Sequence, residues 1–252
     1  MTIGIEQVTI IGVGLLGASF GLALKKRGLV KHIVGVGRTQ KSLDIALQQN
    51  AIDEATLDLQ AGVSRADIIL IATPVQQVIP VLDASRAAAP SQAIFLDVAS
   101  TKQAICDHAR THCPVPRRFV GCHPMAGSEK VGPSHGTPDF YAGSVCLVEQ
   151  DSSLDMQVRE TVCELWRAIG MRVVDIDISI HDAMLARTSH APHILAAAIA
   201  QLAADFGVTR DFVGKGFLDV TRIAAACPEI WRDICMANRD ALRESLEQMR
   251  CQ

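Results

Sequence analysis

A histidine at position 123 stands in a segment suited to acid–base chemistry. Residues 119–130 read FVGCHPMAGSEK, an apolar run with the character of a strand end, followed by a loop that contains Pro124 and Gly127. Histidine is the side chain best suited to accept a proton near neutral pH. Loops that follow the strands of a parallel α/β sheet are where such folds carry their chemistry. The segment alone is equally compatible with a histidine that makes a structural hydrogen bond.

A glycine-rich segment near the N-terminus has the spacing of a phosphate-binding loop. A β-rich run at residues 7–11 ends on GVGLLG at residues 12–17, helical periodicity follows as far as Gly28, and a second apolar run covers residues 33–36. In such a strand–helix–strand unit, the glycines allow a tight turn, close approach of the backbone to a pyrophosphate, and helix–strand packing. Free N–H groups at the helix start hold the phosphates. The segment predicts cofactor contacts at Gly12, Gly14, Leu15, Leu16 and Gly17.

The residues after the second predicted strand indicate which dinucleotide binds. An NAD site usually has Asp or Glu at this point, where the carboxylate accepts hydrogen bonds from the ribose hydroxyls. Here Gly37, Arg38 and Thr39 follow the strand, and no carboxylate comes before Asp44. A guanidinium can pair with a 2′-phosphate and a threonine hydroxyl can donate to it, so the sequence favours NADP. In the alternative interpretation Arg38 stacks on the adenine, and both NADP and NAD bind.

Strand and helix patterns continue to alternate as far as residue 176, which predicts an α/β fold with a Rossmann-type doubly wound sheet. The later strands are expected at residues 66–72, 93–98, 118–122, 144–149 and 172–176. Thr73 and Pro74 end the first of these and should face the dinucleotide. Ser100 is expected to cap the next helix, to direct its hydroxyl at the nicotinamide, or both. The strand at residues 118–122 should deliver His123 to the carboxyl edge of the sheet.

From His181 onward the pattern is helical only and predicts an all-α dimerisation domain after the sheet. We therefore expect a dinucleotide-binding domain at residues 1–177 and a helical dimerisation and substrate-binding domain at residues 178–252. The apolar surface of the second domain exceeds what so short a segment can bury alone, so we expect a homodimer through these C-terminal helices.

Prolines in the helical part predict where its helices kink or begin, and two of its histidines share one helix face. An apolar face runs over residues 181–206, and Pro192 within it predicts a kink, because proline removes a backbone hydrogen bond. His190 and His193 are three residues apart and therefore share one face of that helix. Pro228 predicts the start of one final helix.

Composition and charge exclude several classes of function. The net charge is −3 over 252 residues, which argues against a nucleic-acid or membrane-surface protein, since either needs a basic face. No apolar stretch reaches the roughly 20 residues of a membrane span, and the first residues lack the basic segment of a signal peptide. Eight cysteines without a Cys-x-x-Cys pair indicate reduced thiols, so we expect a cytoplasmic protein.

One group of potential metal ligands occurs within a short stretch of the chain. Its members are Cys106, His108, His112, Cys113, Cys122 and His123. Their spacing matches no common structural zinc site, and we expect no metal.

Five separated motifs occur in a defined order along the chain. They are GVGLLGAS at 12–19, DVASTK at 97–102, GCHPMAGSEK at 121–130, HD at 181–182 followed by SHAPH at 189–193, and GFLDVTRIA at 216–224 followed by WRD at 231–233. Together they resemble the TyrA family, the prephenate and arogenate (cyclohexadienyl) dehydrogenases of tyrosine biosynthesis, over nearly the whole chain. Two positions depart from the pattern: Cys122 stands where the family often has a second glycine, and Lys215 where a further glycine is common.

The resemblance implies a reaction and a role for each motif residue. In the family's reaction hydride leaves C4 of the substrate ring for the nicotinamide, CO2 leaves C1, and the ring becomes a phenol. The resemblance implies that His123 accepts the proton of the C4 hydroxyl, that Ser100 hydrogen-bonds this hydroxyl, and that Arg222 pairs with a substrate carboxylate. Further substrate contacts are expected from Ser128, His190, His193 and Lys215. The products would be L-tyrosine from arogenate or 4-hydroxyphenylpyruvate from prephenate, with CO2 and NADPH.

Other interpretations stay open at this point. A hydroxyacid dehydrogenase of the 6-phosphogluconate type shares the layout and relies on a lysine, for which Lys215 is the candidate. A non-catalytic nucleotide-binding protein is the second alternative. No residue clearly provides an acidic partner for an ammonium group, so the sequence does not distinguish arogenate from prephenate. With its last residue at Gln252, the chain is expected to lack a regulatory or mutase domain.

Overall fold

The computed structural model describes residues 4–128 and 130–251. Residues 1–3, where a signal segment would begin, lie outside the described residues, as does Glu129 of the histidine motif. None of the described helices is long and apolar enough to cross a membrane.

The chain divides into two compact units, with the boundary between Ile178 and Ser179. The functions predicted for residues 1–177 and 178–252 stay predictions. Each unit is described by itself below.

A parallel sheet forms the centre of the first unit. Its strands are β1 (Ile5–Ile11), β2 (Val30–Val36), β3 (Glu54–Thr56), β4 (Ile68–Ile71), β5 (Ile94–Asp97) and β6 (Phe119–Val120). The connecting helices are α1 (Leu15–Lys26), α2 (Gln40–Gln48), α3 (Leu59–Val63), α4 (Val75–Arg86) and α5 (Gln103–His112). The strand order is β3-β2-β1-β4-β5-β6 and all pairs are parallel, so the predicted Rossmann-type doubly wound sheet is confirmed.

The apolar residues of each strand divide between the two faces of this sheet. In β4, Ile68 and Leu70 belong to one buried cluster, whereas Ile69 and Ile71 belong to the other. Successive side chains of a strand point to opposite faces, so a strand covered by helices on both sides must be apolar throughout. This explains why β4 is an uninterrupted apolar run.

A smaller sheet follows the main one and carries the histidine. It consists of β7 (Cys122–Pro124), β8 (Val145–Glu149) and β9 (Arg172–Ile176), with α6 (Met156–Ala168) between the last two. The order is β7-β8-β9, with β7 antiparallel to β8 and β8 parallel to β9.

The predicted strand at residues 118–122 is therefore wrong in its extent. Its first part pairs with β5 as β6, and the chain then leaves the main sheet at Gly121 and enters β7. A Cβ atom at Gly121 would lie 2.5 Å from the Sγ atom of Cys106, so this turn between the two sheets has no room for a side chain.

The second unit is helical, which confirms the predicted all-α domain. Its helices are α7 (Ile178–Leu185), α8 (Ala191–Asp205), α9 (Lys215–Thr221), α10 (Pro228–Ala237) and α11 (Arg239–Arg250). Short 3₁₀ turns cover Arg210–Phe212 and Arg222–Ala225.

The helices of this unit differ from the prediction in two places. The predicted helix over residues 181–206 contains a π-helical turn at Ala186–His190, which joins α7 to α8, and Pro192 lies in the first turn of α8. The Ala191 N–H donates to the Ala186 carbonyl across this wider turn, and the looser hydrogen-bond ladder accommodates the proline, which has no N–H. Instead of one final helix, α10 and α11 are separated at Asn238, whose φ of −117° and ψ of 31° leave the helical region.

Candidate active site

The glycine-rich segment forms the turn between β1 and α1. Gly12 has a φ of +93°, and a Cβ atom there would lie 2.6 Å from the carbonyl oxygen of Ala72. A Cβ atom at Gly17 would lie 2.3 Å from the carbonyl oxygen of Gly12, which shows how closely α1 approaches the strand. Gly12 and Gly17 are thus required by the turn itself.

Gly14 has a different surrounding. It precedes α1 directly, and no atom of another described residue lies within 4 Å of the position of a Cβ atom there. Leu15 and Leu16 form the first turn of α1, where backbone N–H groups have no intrahelical partner. The loop therefore presents free donors and open space at the helix start, as a dinucleotide pyrophosphate requires.

Thr73 and Pro74 follow β4, beside this loop. The Oγ1 atom of Thr73 is buried and has no hydrogen-bond partner among the described residues, while Pro74 is exposed at the start of α4. A buried hydroxyl without a partner costs free energy, so this atom indicates a group that binds there. Together with Gly14, it fits a bound dinucleotide.

The end of β2 carries the residues predicted to select the cofactor. Gly37 donates to the carbonyl oxygen of Thr56 (3.2 Å), and a Cβ atom at Gly37 would contact Leu43 at 2.9 Å. Arg38 is exposed and makes no hydrogen bond or ion pair with a described residue. Thr39 precedes α2 and its Oγ1 atom donates to the Ser42 hydroxyl (3.1 Å). These positions leave a cation and hydroxyl groups available at the strand end.

His123 lies in the middle of β7, opposite Leu147 of β8, and its side chain is 7% exposed. Backbone hydrogen bonds hold the two residues before it. The Gly121 N–H donates to Glu149 Oε2 (3.1 Å) and the Cys122 N–H donates to Asp97 Oδ1 (3.0 Å). His123 is therefore a strand residue with a fixed backbone rather than a residue of a free loop.

Ser100 follows β5 by three residues and is half-buried. It does not cap the next helix, since α5 begins at Gln103 with Lys102 at the N-cap position, and this part of the prediction is wrong. Asp97 accepts from the Ala99 N–H (3.0 Å) and from Lys102 Nζ. These bonds hold a bend after β5, so α5 begins only at Gln103. Because Asp97 also accepts from Cys122, the structure joins the segment of Ser100 to that of His123.

Ser128 lies in the exposed loop after β7, where its hydroxyl accepts from the Lys130 N–H (3.2 Å). The predicted contact of Ser128 with the substrate stays a prediction.

In the second unit the predicted histidines lie around Trp231. The ring of His193 stacks on Trp231 with centroids 3.6 Å apart and planes within 4°, and the ring of His190 meets Trp231 edge-on at 6.1 Å. The Nδ1 atom of His193 is buried without a hydrogen-bond partner among the described residues. The structure thus brings His190 and His193 together, and it leaves one imidazole nitrogen available for a ligand or water.

Burial determines the charge state of this pair. It lowers the pKa of His190 to about 4, although the nearby Asp182 carboxylate acts to raise that pKa. Burial also lowers the pKa of His193. Both rings are therefore neutral at pH 7, and they can act there as hydrogen-bonding groups rather than as cations.

Lys215 and Arg222 are both exposed in the second unit, at the start of α9 and in the turn that follows it. Neither makes a hydrogen bond or ion pair with a described residue. The turn Arg222–Ala225 packs on α8, the helix that carries His193. Two cations are thus available for an anionic ligand.

Among the described residues, no group of three or more His, Cys, Asp or Glu side chains has a metal-binding arrangement. In the group of potential ligands considered in the sequence, from which no metal site was expected, His108 pairs with Asp83 at 2.9 Å and stacks on His112. None of the eight cysteines forms a disulfide.

Three residues with a structural part in these sites escaped prediction. Glu149 and Arg117 hold the segment of His123, and Asn238 donates to His190. Polar residues within otherwise apolar segments were their only signal, and the sequence does not indicate their partners.

The strand order, the glycine turn after β1 and the unpaired Thr73 hydroxyl define the first unit as a Rossmann-type nucleotide-binding domain. Residues 20–175 match the family described as "Prephenate dehydrogenase, nucleotide-binding domain". Residues 177–252 match the family described as "Prephenate dehydrogenase, dimerization domain". The chain therefore belongs to the prephenate dehydrogenase family, which confirms the resemblance found in the sequence.

Individual relatives agree with this assignment. The chain is 30% identical over 248 residues to the prephenate dehydrogenase of Bacillus subtilis, covering 96% of this chain and 67% of that protein. The crystal structure of prephenate dehydrogenase from A. aeolicus, in complex with hydroxyphenyl propionate and NAD+, has a TM-score of 0.90 at 26% identity and covers 99% of this chain and 88% of that one. Synechocystis arogenate dehydrogenase has a TM-score of 0.82 at 27% identity, covering 97% and 88%.

Proposed function

We propose that this protein catalyses the oxidative decarboxylation of prephenate, arogenate or both, in tyrosine biosynthesis. Hydride passes to a nicotinamide dinucleotide, CO2 is released, and the product is 4-hydroxyphenylpyruvate or L-tyrosine. The observation that carries the proposal is the buried His123 on β7, with its backbone fixed on the same unit as the dinucleotide loop. Membership of the prephenate dehydrogenase family supports it.

His123 and Ser100 act on the C4 hydroxyl of the substrate ring. The imidazole of His123 accepts the hydroxyl proton as the C4–O bond gains carbonyl character, and the Ser100 hydroxyl orients the same oxygen. When bound, the oxidised nicotinamide supplies the hydride acceptor. Loss of CO2 and aromatisation make the reaction effectively irreversible, so the protein mainly has to position the reactants.

The helical unit binds the substrate. The exposed Arg222 guanidinium pairs with a substrate carboxylate, and Lys215 adds a second positive charge. His190 and His193, which burial keeps neutral at pH 7, hydrogen-bond the substrate without adding charge. Ser128 completes the set.

The cofactor is NADP, with NAD as a second acceptor. The exposed guanidinium of Arg38 and the hydroxyl of Thr39 follow β2, which ends without a carboxylate. These features support a 2′-phosphate on the ribose. Gly12, Gly14, Leu15, Leu16, Gly17, Gly37, Thr73, Pro74 and Ser100 complete the proposed cofactor site.

The helical unit also forms a homodimer. It exposes large apolar side chains that a monomer would leave in water, among them Phe206 (88% exposed), Phe212 (83%) and Leu202 (73%). A second copy of the chain would cover them, as the name of the matched dimerization domain also suggests. Eight unpaired cysteines fit a cytoplasmic location.

Steady-state rates of the purified protein with prephenate and arogenate, each with NADP and NAD, test the proposal. Replacing His123 with alanine should lower kcat by about 100-fold or more, because general base catalysis contributes at least that much. Replacing Lys215 with alanine should mainly raise KM. The opposite pattern would favour a 6-phosphogluconate-type hydroxyacid dehydrogenase, and no turnover with any combination would favour a non-catalytic nucleotide-binding protein.

A further inference from the structure

Two buried carboxylates hold the backbone immediately before His123. Glu149 Oε2 accepts the Gly121 N–H (3.1 Å) and Asp97 Oδ1 accepts the Cys122 N–H (3.0 Å). Both carboxylates are fully buried, and each is paired with a buried cation, Arg117 for Glu149 and Lys102 for Asp97. The two ion pairs thus hold the N–H groups of two consecutive residues, at the point where the chain passes from the main sheet to the smaller one.

Glu149 binds both polar groups of the Gly121 backbone. Its side chain accepts from the Gly121 N–H, and its own N–H donates to the Gly121 carbonyl (2.9 Å). The missing side chain of Gly121 makes this possible, since a Cβ atom there would lie 3.2 Å from Glu149 Oε2. The Glu149 side chain therefore holds the peptide before Gly121, while the Glu149 backbone N–H and the Asp97 side chain hold the peptide after it.

Arg117 determines in turn where that side chain lies. Its guanidinium donates to Glu149 through Nη1 (2.9 Å) and Nη2 (2.6 Å), and Nη1 also donates to the Phe119 carbonyl (3.0 Å). Burial lowers the pKa of Arg117, but the hydrogen bonds to Glu149 and the charge of Glu149 outweigh burial and raise that pKa overall, so the guanidinium keeps its charge. The guanidinium thus connects β6, the turn at Gly121 and the end of β8.

A buried ion pair is a poor device for stability, because the loss of hydration offsets most of the attraction. It does impose one geometry on the groups that it bonds. The groups bonded here are those that direct the histidine segment. Glu149 is also separate from the other motifs, whereas Asp97 and Lys102 belong to the segment of Ser100.

We propose that Glu149, held by Arg117, is a positioning residue for His123. It fixes the peptide at Gly121 and so the direction in which β7 presents the imidazole. The inference rests on the proposed role of His123 as the base. Glu149 itself exchanges no proton with the substrate.

Two variants and a matched control test the inference in the full-length protein. Glu149→Gln keeps the shape of the side chain, but its single oxygen cannot accept from both Arg117 donors and from the Gly121 N–H together. Arg117→Lys keeps the positive charge but loses the two parallel N–H donors of the guanidinium. Arg118→Lys is the control, because Arg118 is adjacent and bonds Asp155 and the Gln92 carbonyl instead. Each is measured for kcat, for KM of the cofactor, and for hydrogen exchange of the amides at residues 119–123.

Both test variants should lower kcat by roughly 10-fold to 100-fold, because a small misplacement of a reacting group has that effect. KM for the cofactor should change less than about twofold, and the segment's amides should exchange about 10-fold faster or more. Arg118→Lys should change none of these. If Glu149→Gln fails to fold, the kcat and the hydrogen exchange of Arg117→Lys test the inference.

Unchanged kcat and unchanged exchange in a folded variant would overturn the inference, as would an equal loss in Arg118→Lys. The exchange measurement does not depend on turnover. If the wild-type protein turns over neither substrate but the amides of the variants exchange faster, Glu149 and Arg117 do fix the backbone before His123, and the proposed function fails.

Discussion

The Nδ2 atom of Asn238 lies 3.0 Å from the Nδ1 atom of His190 and donates at 2.7 Å to the Asp182 carbonyl. Because an amide nitrogen can only donate, Nδ1 of His190 is the acceptor of this bond, and the proton of the neutral ring lies on Nε2. Asn238 therefore joins α7, the π-helical turn and the junction of α10 with α11. It also determines which imidazole nitrogen His190 can offer to a ligand as a donor.

Replacing Asn238 with leucine should destabilise the protein. The change leaves two buried acceptors, on His190 and Asp182, without their donor, and each such loss costs about 1–3 kcal/mol. Thermal unfolding followed by circular dichroism should show a clear fall in Tm. Gln201→Ala serves as the control, because Gln201 is exposed and its side chain bonds Asp205 of the same helix. An equal Tm for wild type and Asn238→Leu would contradict the assigned hydrogen bonds.

The stability of the protein should depend on pH through His190. Its pKa is about 4 in the folded protein against an ordinary value of 6.5, so between these values the unfolded chain binds more protons. The contribution of the neutral ring is fully present above pH 6.5 and is lost as the pH falls towards 4. Between pH 6.5 and 5 the loss amounts to roughly 2 kcal/mol.

Comparison of wild type with His190→Gln measures this contribution, because His193 and the other titrating groups are present in both. The Tm of the wild-type protein should fall more steeply from pH 7 to pH 5 than that of the variant. Parallel curves over this range would show that His190 titrates at its ordinary pKa.

Replacing Arg38 with alanine should separate the two cofactors. A guanidinium bonded to a 2′-phosphate contributes about 1.5–3 kcal/mol, so KM for NADP should rise roughly 10-fold or more while KM for NAD stays nearly constant. Arg65→Ala provides a control for loss of an exposed arginine. Equal losses with both cofactors would instead favour stacking of Arg38 on the adenine.

Replacing Gly121 with alanine should destabilise the protein by about 1–3 kcal/mol, since the new methyl group has no room beside the Cys106 sulfur. Gly127→Ala is the matched control in the same segment, because no atom of the part of the chain that the structure describes lies within 4 Å of its Cβ position. Adding Cys106→Ala to Gly121→Ala should restore part of the Tm. No recovery in the double variant would show that the sulfur is not the main obstacle.

The turn between β1 and α1 was predictable because its signals are local. The spacing of Gly12, Gly14 and Gly17 reports conformations and close contacts within a few residues, and Gly28 after α1 has the positive φ expected where a helix ends. Likewise, the apolar run of β4 reports burial on both faces. Such patterns depend little on distant parts of the chain.

Other features depend on partners far away along the chain. No local signal shows that β6 ends at Val120 and that the next residues pair with β8, since both strands continue one apolar run. Arg117 and Glu149 are 32 residues apart, and nothing near either residue indicates the other. The π-helical turn before Pro192 was missed because helical periodicity does not distinguish it from a kink.

The amino-acid sequence by itself determined the α/β class, the dinucleotide loop, the change to an all-α segment and the family. These follow from periodicity, glycine positions and motifs, which are properties of short segments. Only the tertiary structure decided which sheet carries His123, which carboxylates hold the peptides before it, and how His190 and His193 lie against Trp231. Those relationships arise where separate segments meet, and the free energy of burying charged and polar groups there depends on partners that a local pattern does not specify.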